Sequence, residues 1–452
     1  MGAGPAGRRI SGEFRSVIRS AYGVPVDGAV EDPTRAQRDR LTDGLLASAA
    51  VQNPAVAAAF RAVPRHVFLP GVAVELAYSD EAVPTKWAPD GRPVSSSSQP
   101  AIMAIMLEQL GVAPGQRVLE IGAGTGYNAA LLSYLVGATG HVTTVDIDHD
   151  VVAQARARLA EAGFAGVTVV CADGAFGWPP AAPFDRIIVT AGAWELAPAW
   201  RDQLAPAGRI VLPLSIRGVQ LSVAFERAAS GRGGAESTLK RPESGHAPVA
   251  DTMVSVSVAS CGFMPLRGSL AEPGGPRVLG DRPGLFVYVD DDRPLDTGRL
   301  FAALTPLDDP APAVSTGVRV DTPDLWGGVD LWLALHAPEA GALSAIGPAV
   351  ELGLVPDLIT YPGQVRTMGL VTKAALAMLT REDAGDTFTL GVRGYGAGGT
   401  ELAERLAAHV RAWHAAGRPT AQGLRIRAHR PEAEVTGVVV HKRHGRLELD
   451  WP

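Results

Sequence analysis

The chain is poor in cysteine: 452 residues carry two, Cys171 and Cys261. A disulfide framework is therefore excluded, and a reducing cytoplasm is the expected location. Charged residues are scarce as well, at 19%, and aromatics are only 6%. The balance of charge is −6, which argues against a general nucleic-acid binder, since such proteins concentrate basic residues. No run of roughly 18 apolar residues occurs, so no membrane span is expected. The start, MGAGPAGRRI, lacks an apolar core of the kind a secretory signal needs, and position 6 is Ala where a myristoylation site needs Ser or Thr. What is abundant is small and apolar: hydrophobics reach 46%, with 52 Gly and 35 Pro. Such a composition is globular, and the length suits two or three domains.

Residues 1–34 show weak periodicity and read as an extension with one short helix near 14–21. From Arg35 to Phe60 apolar residues recur at helical spacing, and Asn53-Pro54 divides the run into two helices. Residues 79–99 are polar and Pro-rich and read as a loop, ending in Ser95-Ser96-Ser97-Ser98-Gln99-Pro100. Pro100 suits the first turn of a helix bearing Met103, Met106, Leu107 and Leu110. Strand and helix then alternate. Strands are expected at 117–121, 141–145, 167–171, 186–190 and 210–214, with helices at 127–136, 150–162 and 198–204. This pattern predicts an α/β fold with a doubly wound parallel sheet. An antiparallel pair is expected at 219–227 and 252–261, with a Gly-rich loop between. After Arg267 the pattern changes to an α+β unit. Its strands are expected at 284–289, 328–335, 358–361, 387–392, 424–428 and 437–442, and its helices at 373–379 and 399–416. The domain expectation is thus an extension at 1–34, one unit at 35–268 and a second at 269–452.

The most informative segment is Val118-Leu119-Glu120-Ile121-Gly122-Ala123-Gly124-Thr125-Gly126-Tyr127. It follows a strand and opens a helix, where glycines allow the backbone to approach a ligand. A dinucleotide fingerprint needs glycine at position 127, which is Tyr. Glu120, before the glycines, sits badly beside a pyrophosphate and better beside a cationic ligand. Asp146, followed by Ile147, ends the second strand, where a carboxylate can hold ribose hydroxyls. Asp173-Gly174 ends the third, where a turn can contact adenine. Three successive strand ends with carboxylates point to a nucleoside cofactor.

These blocks, with others in the same order, resemble the protein-L-isoaspartate O-methyltransferase family, a class of S-adenosylmethionine-dependent methyltransferases with a Rossmann-like fold. The resemblance runs over about 35–268. Val63-Pro64-Arg65-His66-Val67-Phe68 and Ala77-Tyr78 resemble its N-terminal signature, and Ser98-Gln99-Pro100 its substrate loop. Ala172-Asp173-Gly174, Phe184–Ala191 and Leu204–Pro213 match later blocks. The resemblance implies S-adenosyl-L-methionine as cofactor and S-adenosyl-L-homocysteine as product, held by Glu120, Gly122, Ala123, Gly124, Thr125, Gly126, Asp146, Ile147, Asp173 and Gly174. It implies Ser98 as the residue that aims the substrate carboxylate; as a sequence feature, Ser98 equally fits a helix N-cap. Ser97, Ser98, Gln99, Ala191 and Trp194 are the implied substrate contacts. Two segments depart from the family pattern. Ser96-Ser97 stand where Thr and an aliphatic are usual, and Ala191-Gly192-Ala193 runs into Trp194-Glu195 instead of proline.

The second half resembles the long methyltransferases of peptide natural-product clusters, through Cys261–Gly268, Tyr395-Gly396 and the ending His441–Leu447 with Asp450-Trp451-Pro452. That resemblance implies methylation of Asp in a ribosomally made, macrocyclic peptide, the ester closing to an aspartimide. A repair enzyme for isoaspartyl proteins with an accessory domain is the alternative, and a non-catalytic scaffold is disfavoured by the intact cofactor blocks. The expected partner is a peptide, with neither nucleic acid nor membrane. His441 and His444 have ligand-like spacing but no carboxylate or thiol near in sequence, so no metal is expected. Arg425, Arg427, Arg430, Lys442, Arg443 and Arg446 form either a solvated face or a contact for an acidic peptide. Cys171 reads as core packing, His66 as structural, and 290–292 as an exposed turn.

Overall fold

The computed structural model describes residues 33–88, 93–228, 252–273, 275–289, 291, 293–305, 313–361, 363–384 and 387–451. The expected helix near 14–21, the loop around 229–246, Asp290, Asp292 and Pro452 lie outside the described residues. Helices α1 (Arg35–Ala47) and α2 (Pro54–Ala62) open the fold, and the Asn53 side chain accepts from the Ala55 amide at their junction. Strands β1 (Val83–Trp87) and β2 (Pro93–Ser97) follow, then helix α3 (Pro100–Leu110). The alternating section comprises β3 (Arg117–Ile121), α4 (Tyr127–Val136), β4 (His141–Asp146), α5 (His149–Glu161), β5 (Thr168–Cys171), β6 (Phe184–Val189), α6 (Pro198–Asp202) and β7 (Leu204–Ile216). Strands β8 (Val219–Arg227) and β9 (Met253–Ser260) extend it.

Beyond these come β10 (Arg277–Val278), β11 (Leu285–Tyr288), α7 (Thr297–Leu304), β12 (Val314–Val320), α8 (Asp330–His336) and β13 (Ala340–Ile346). Strands β14 (Ile359–Tyr361), β15 (Gln364–Val371), β16 (Leu376–Ala384) and β17 (Thr387–Tyr395) lead to helix α9 (Gly399–Ala415). The described chain ends with β18 (Arg425–His429), β19 (Val438–Lys442) and β20 (Gly445–Asp450).

Ten strands form the larger sheet, in the order β19-β20-β18-β9-β8-β7-β6-β3-β4-β5. From β5 to β7 the strands are parallel, with helices against both faces, which is the expected doubly wound arrangement. Near-continuous apolar runs such as Val118-Leu119 and Ile187–Val189 are buried because both faces are covered. A second sheet runs β10-β11-β13-β15-β16-β17-β12, with β14 beside β15. Helix α9 covers one of its faces with Leu402, Leu406, Val410 and Trp413, the four residues that share a face at helical spacing.

Four expectations change. The boundary expected at 268/269 does not separate the sheets, because β18 pairs with β9 and carries β20 and β19 with it. The last strands of the chain thus belong to the sheet of the first unit. Residues 79–99 are not a bare loop: β1 pairs antiparallel with β2, Pro84 opposite Ser96 and Lys86 opposite Ser95. Backbone pairing there overrides a composition that reads as coil. The helix expected at 373–379 is instead a turn and the start of β16, flanked by β15 and β17. The strand expected at 328–335 contains α8, entered through a kink where Trp326 is extended and Gly327 has φ 71°. Both errors have one cause, since a short apolar run buried on all sides has no diagnostic period. No helix of the described residues is long and apolar enough to cross a membrane.

Candidate functional site

The glycine turn lies at the carboxyl edge of the parallel strands, between β3 and α4. Gly122, Gly124 and Gly126 all have positive φ, 102°, 50° and 90°. A Cβ on Gly122 would lie 2.6 Å from Thr190 Oγ1, and one on Gly124 would lie 3.4 Å from the Ser96 carbonyl. The turn thus passes between the end of β6 and the β1–β2 hairpin, where a side chain at position 122 would collide with Thr190 and one at 124 would already touch the hairpin backbone. Thr190 holds the other side, its hydroxyl reaching the carbonyls of Ile121 at 3.1 Å and Gly122 at 2.7 Å. Ala123 and Thr125 are buried within the turn.

Glu120 is fully buried behind it. The Asn128 amide donates to Oε1 at 2.7 Å, and Thr144, the cross-strand neighbour on β4, faces the same carboxyl. Burial pushes this carboxyl up to about 7 from its ordinary 4.5, against the opposing influence of Thr144 and Asn128. The folded form therefore keeps a proton that the unfolded chain has lost between those two values. Stability of the cofactor-free protein should fall as pH rises through that window, by up to about 3 kcal/mol from this group. Urea denaturation at pH 5 and pH 8 should show the loss in the wild type and a smaller one in Glu120→Gln. Equal slopes would show that Glu120 ionises normally.

Asp146 ends β4 with one carboxylate oxygen accepting from the Gly124 amide at 3.2 Å and the other from the Asp148 amide at 3.1 Å. Next to it Ile147 is 37% exposed, an apolar platform at the same edge. Asp173, at the end of β5, is engaged differently. Its Oδ1 accepts from the Ala175 amide, and its Oδ2 accepts from the amide and hydroxyl of Ser269 at 2.8 and 2.7 Å. It braces the segment after β9 against the strand end. Gly174 is packed on Ile121, whose Cγ2 would be 2.5 Å from an added Cβ.

The hairpin and that same segment are tied over this edge. Lys86 donates to Asp148 at 2.9 Å and Asp150 at 2.8 Å, and Arg267 reaches Asp148 at 2.6 Å. Sequence inspection missed all four residues, because charges 60 and more positions apart carry no local signal.

The Ser-rich segment is held from below by Arg65, which is fully buried. Its guanidinium donates to the carbonyls of Ala77, Ser79, Glu81 and Ser98 at 3.0–3.1 Å and to the Ser97 hydroxyl at 3.4 Å. Arg65 appeared in the sequence only as part of a motif; an arginine between Val63 and Phe68, both core residues, was the available signal. Gln99 and not Ser98 occupies the N-cap of α3, and the cap is made by Asp80, whose carboxylate accepts from the Ala101 amide at 2.8 Å. Gln99 donates to the other Asp80 oxygen. Ser97 and Gln99 are thus turned into the scaffold, and Ser98 is released from a capping role.

Ala191, Gly192 and Ala193 continue from β6. Gly192 bonds to the backbone of Met264 and Leu266, and Ala193 to Pro213 and Ser215. Trp194 follows, with the Lys442 ammonium 4.6 Å and the Arg443 guanidinium 5.9 Å from its ring centroid. Glu195 is 2% exposed and accepts twice from His444, from the amide at 2.8 Å and from Nδ1 at 2.9 Å. The carboxylate that His444 lacked in sequence is thus supplied by the fold. His66 bonds to the Tyr78 hydroxyl at 2.8 Å, as a structural residue would. A separate cavity of about 280 Å³ lies between the sheets, lined by Arg217, Asp291, Arg293 and His441 among others, and includes none of the residues expected at the site.

The fit of these residues to a nucleoside cofactor is good. A turn with glycine at 122, 124 and 126, a buried carboxyl at Glu120, a half-buried carboxylate at Asp146 and an apolar Ile147 meet at one strand edge.

Comparison with known proteins agrees. The profile of the family described as Protein-L-isoaspartate(D-aspartate) O-methyltransferase matches residues 36–240. A protein-L-isoaspartate O-methyltransferase of Methanoregula boonei is 41% identical over 198 residues, which are 44% of this chain and 87% of the relative. One from Rhodopseudomonas palustris is 43% identical over 169 residues, 37% of this chain and 73% of the relative. A solved protein-L-isoaspartate O-methyltransferase superposes with a TM-score of 0.45 at 22% identity, over 86% of this chain and 96% of the other. A Plasmodium falciparum structure of the same description, in complex with S-adenosyl-L-homocysteine, gives 0.38 at 18% identity, over 42% and 89%.

Proposed function

Because the chain belongs to the protein-L-isoaspartate O-methyltransferase family, we propose that it transfers a methyl group from S-adenosylmethionine to the carboxylate of an isoaspartyl residue in a peptide or protein. The observation that carries this reading is the turn of Gly122, Gly124 and Gly126, walled by Thr190 and the hairpin and flanked by Glu120 and Asp146. When bound, S-adenosylmethionine supplies an electrophilic methyl group. A substrate carboxylate is already ionised near neutrality, so the protein need supply no strong base. Its residues instead position and desolvate. Gly122 to Gly126 and Asp146 hold the nucleoside end, with Ile147 against the base. Ser98 donates to one carboxylate oxygen and leaves the other to react. Arg65 fixes the backbone that carries Ser98. The test is methylation of unrelated isoaspartyl peptides with labelled cofactor, followed by methanol release.

The relatives favour this substrate class over ordinary Asp in a macrocyclic peptide. The narrower reading rests on the residues beyond the family match, and the same assay decides it. Methylation of a cyclised Asp peptide, followed by attack of the next backbone N–H on the ester and loss of methanol to a product one water lighter than the starting peptide, with isoaspartyl peptides untouched, would replace the reading proposed here.

Ser98→Ala should lower kcat about 10–100-fold, the worth of one hydrogen bond to a charged group, and leave cofactor affinity unchanged. Turnover kinetics with calorimetry on the same variant checks this. A parallel loss of affinity and melting temperature would return Ser98 to a structural role.

A further inference from the structure

Trp194 stands five positions beyond Val189, the last residue of β6, and so at the strand edge that carries the glycine turn. The hairpin joining β19 to β20 brings two cations onto that indole, although the chain as a whole is acidic at −6. Lys442 is buried and donates to the Ser215 carbonyl at 3.0 Å. Arg443 is exposed, donates to the Ser269 carbonyl at 3.2 Å, and forms no ion pair within the described residues. Ser269 is the residue bonded to Asp173, so the hairpin tip reaches the end of β5 as well. Glu195, next to Trp194 in the chain, has both of its oxygens taken by His444. That double bond fixes the tip, and Gly445 seats it against the His429 carbonyl, where a Cβ would come within 2.7 Å.

We propose that Arg443, beside Trp194, forms a subsite for an acidic side chain flanking the residue to be methylated; this rests on the methyltransferase reading above. The guanidinium donates from one nitrogen to the Ser269 carbonyl, and its other N–H groups can meet a carboxylate with two parallel bonds. Fixing the tip through His444 spares the cost of ordering the arginine when substrate arrives. A terminal hairpin thereby adds peptide selectivity to a site built by the other end of the chain.

The test uses the full chain saturated with S-adenosylhomocysteine and two labelled isoaspartyl peptides, identical except for Glu or Lys on both sides. Fluorescence anisotropy should show the Glu peptide bound about 10-fold more tightly or better. Arg443→Glu should reverse that order, and Arg443→Gln should abolish it. Both variants should retain the wild-type melting temperature and affinity for S-adenosylhomocysteine. Equal binding of the two peptides by the wild type, binding of neither, or an equal loss of both in Arg443→Glu would overturn the subsite. If the preference holds but neither peptide is methylated, the subsite stands and the isoaspartyl reading fails.

Discussion

Arg65→Met should cost about 3–5 kcal/mol of stability and most of the methyl-transfer activity. The Arg65 guanidinium is buried without a carboxylate in contact; its two terminal nitrogens donate mostly to backbone carbonyls, and its Nε has no hydrogen-bond partner among the described residues. Burial holds its pKa below the ordinary arginine value, yet an arginine remains charged in any accessible range. One side chain thus ties residues 77–81 to residues 97–98, and its guanidinium carbon lies 5.9 Å from the Tyr127 ring centroid. Removing it leaves four buried or half-buried carbonyls short of a donor, and methionine fills the volume without repairing that loss. Arg65→Lys should rescue little, because an ammonium cannot reproduce the planar fork. Urea denaturation and kcat measured together are the check. A variant of normal stability with normal turnover would show that the Ser-rich segment holds its own shape.

If Asp146 receives the ribose hydroxyls as proposed, Asp146→Ala should weaken S-adenosylhomocysteine binding by about 100-fold or more, the worth of two hydrogen bonds to a carboxylate. The same carboxylate accepts from the amides of Gly124 and Asp148, so part of the loss comes from slackening the glycine turn. Asp146→Asn separates the two contributions. It keeps an acceptor of the same shape and should retain the turn while losing charge. Calorimetry with S-adenosylhomocysteine measures both variants, and an unchanged affinity in Asp146→Ala would remove the residue from the site.

The local parts of this protein were legible in its sequence. The β/α alternation, the helix Tyr127–Val136, the glycine turn and the buried face of α9 follow from periodicity and from backbone conformations that only glycine adopts freely. The order of blocks from Val63 to Pro213 likewise pointed to the family. Each of these signals lies within a few residues of itself, where side-chain spacing and backbone freedom act directly.

Tertiary structure decided everything that depends on distant partners. It moved β18, β19 and β20 into the first sheet, because strand pairing is indifferent to how many residues intervene. It turned 373–379 into strand and 328–335 largely into helix, since complete burial erases the period on which a local reading depends. It assigned the α3 cap to Asp80 and freed Ser98. It placed Glu195 on His444, 249 residues away, and set Arg443 on Trp194. A charge or ring in sequence states only what a residue can bind; which partner it meets is fixed by packing, where burial raises the cost of leaving a polar group unmatched and selects the pairs that satisfy it.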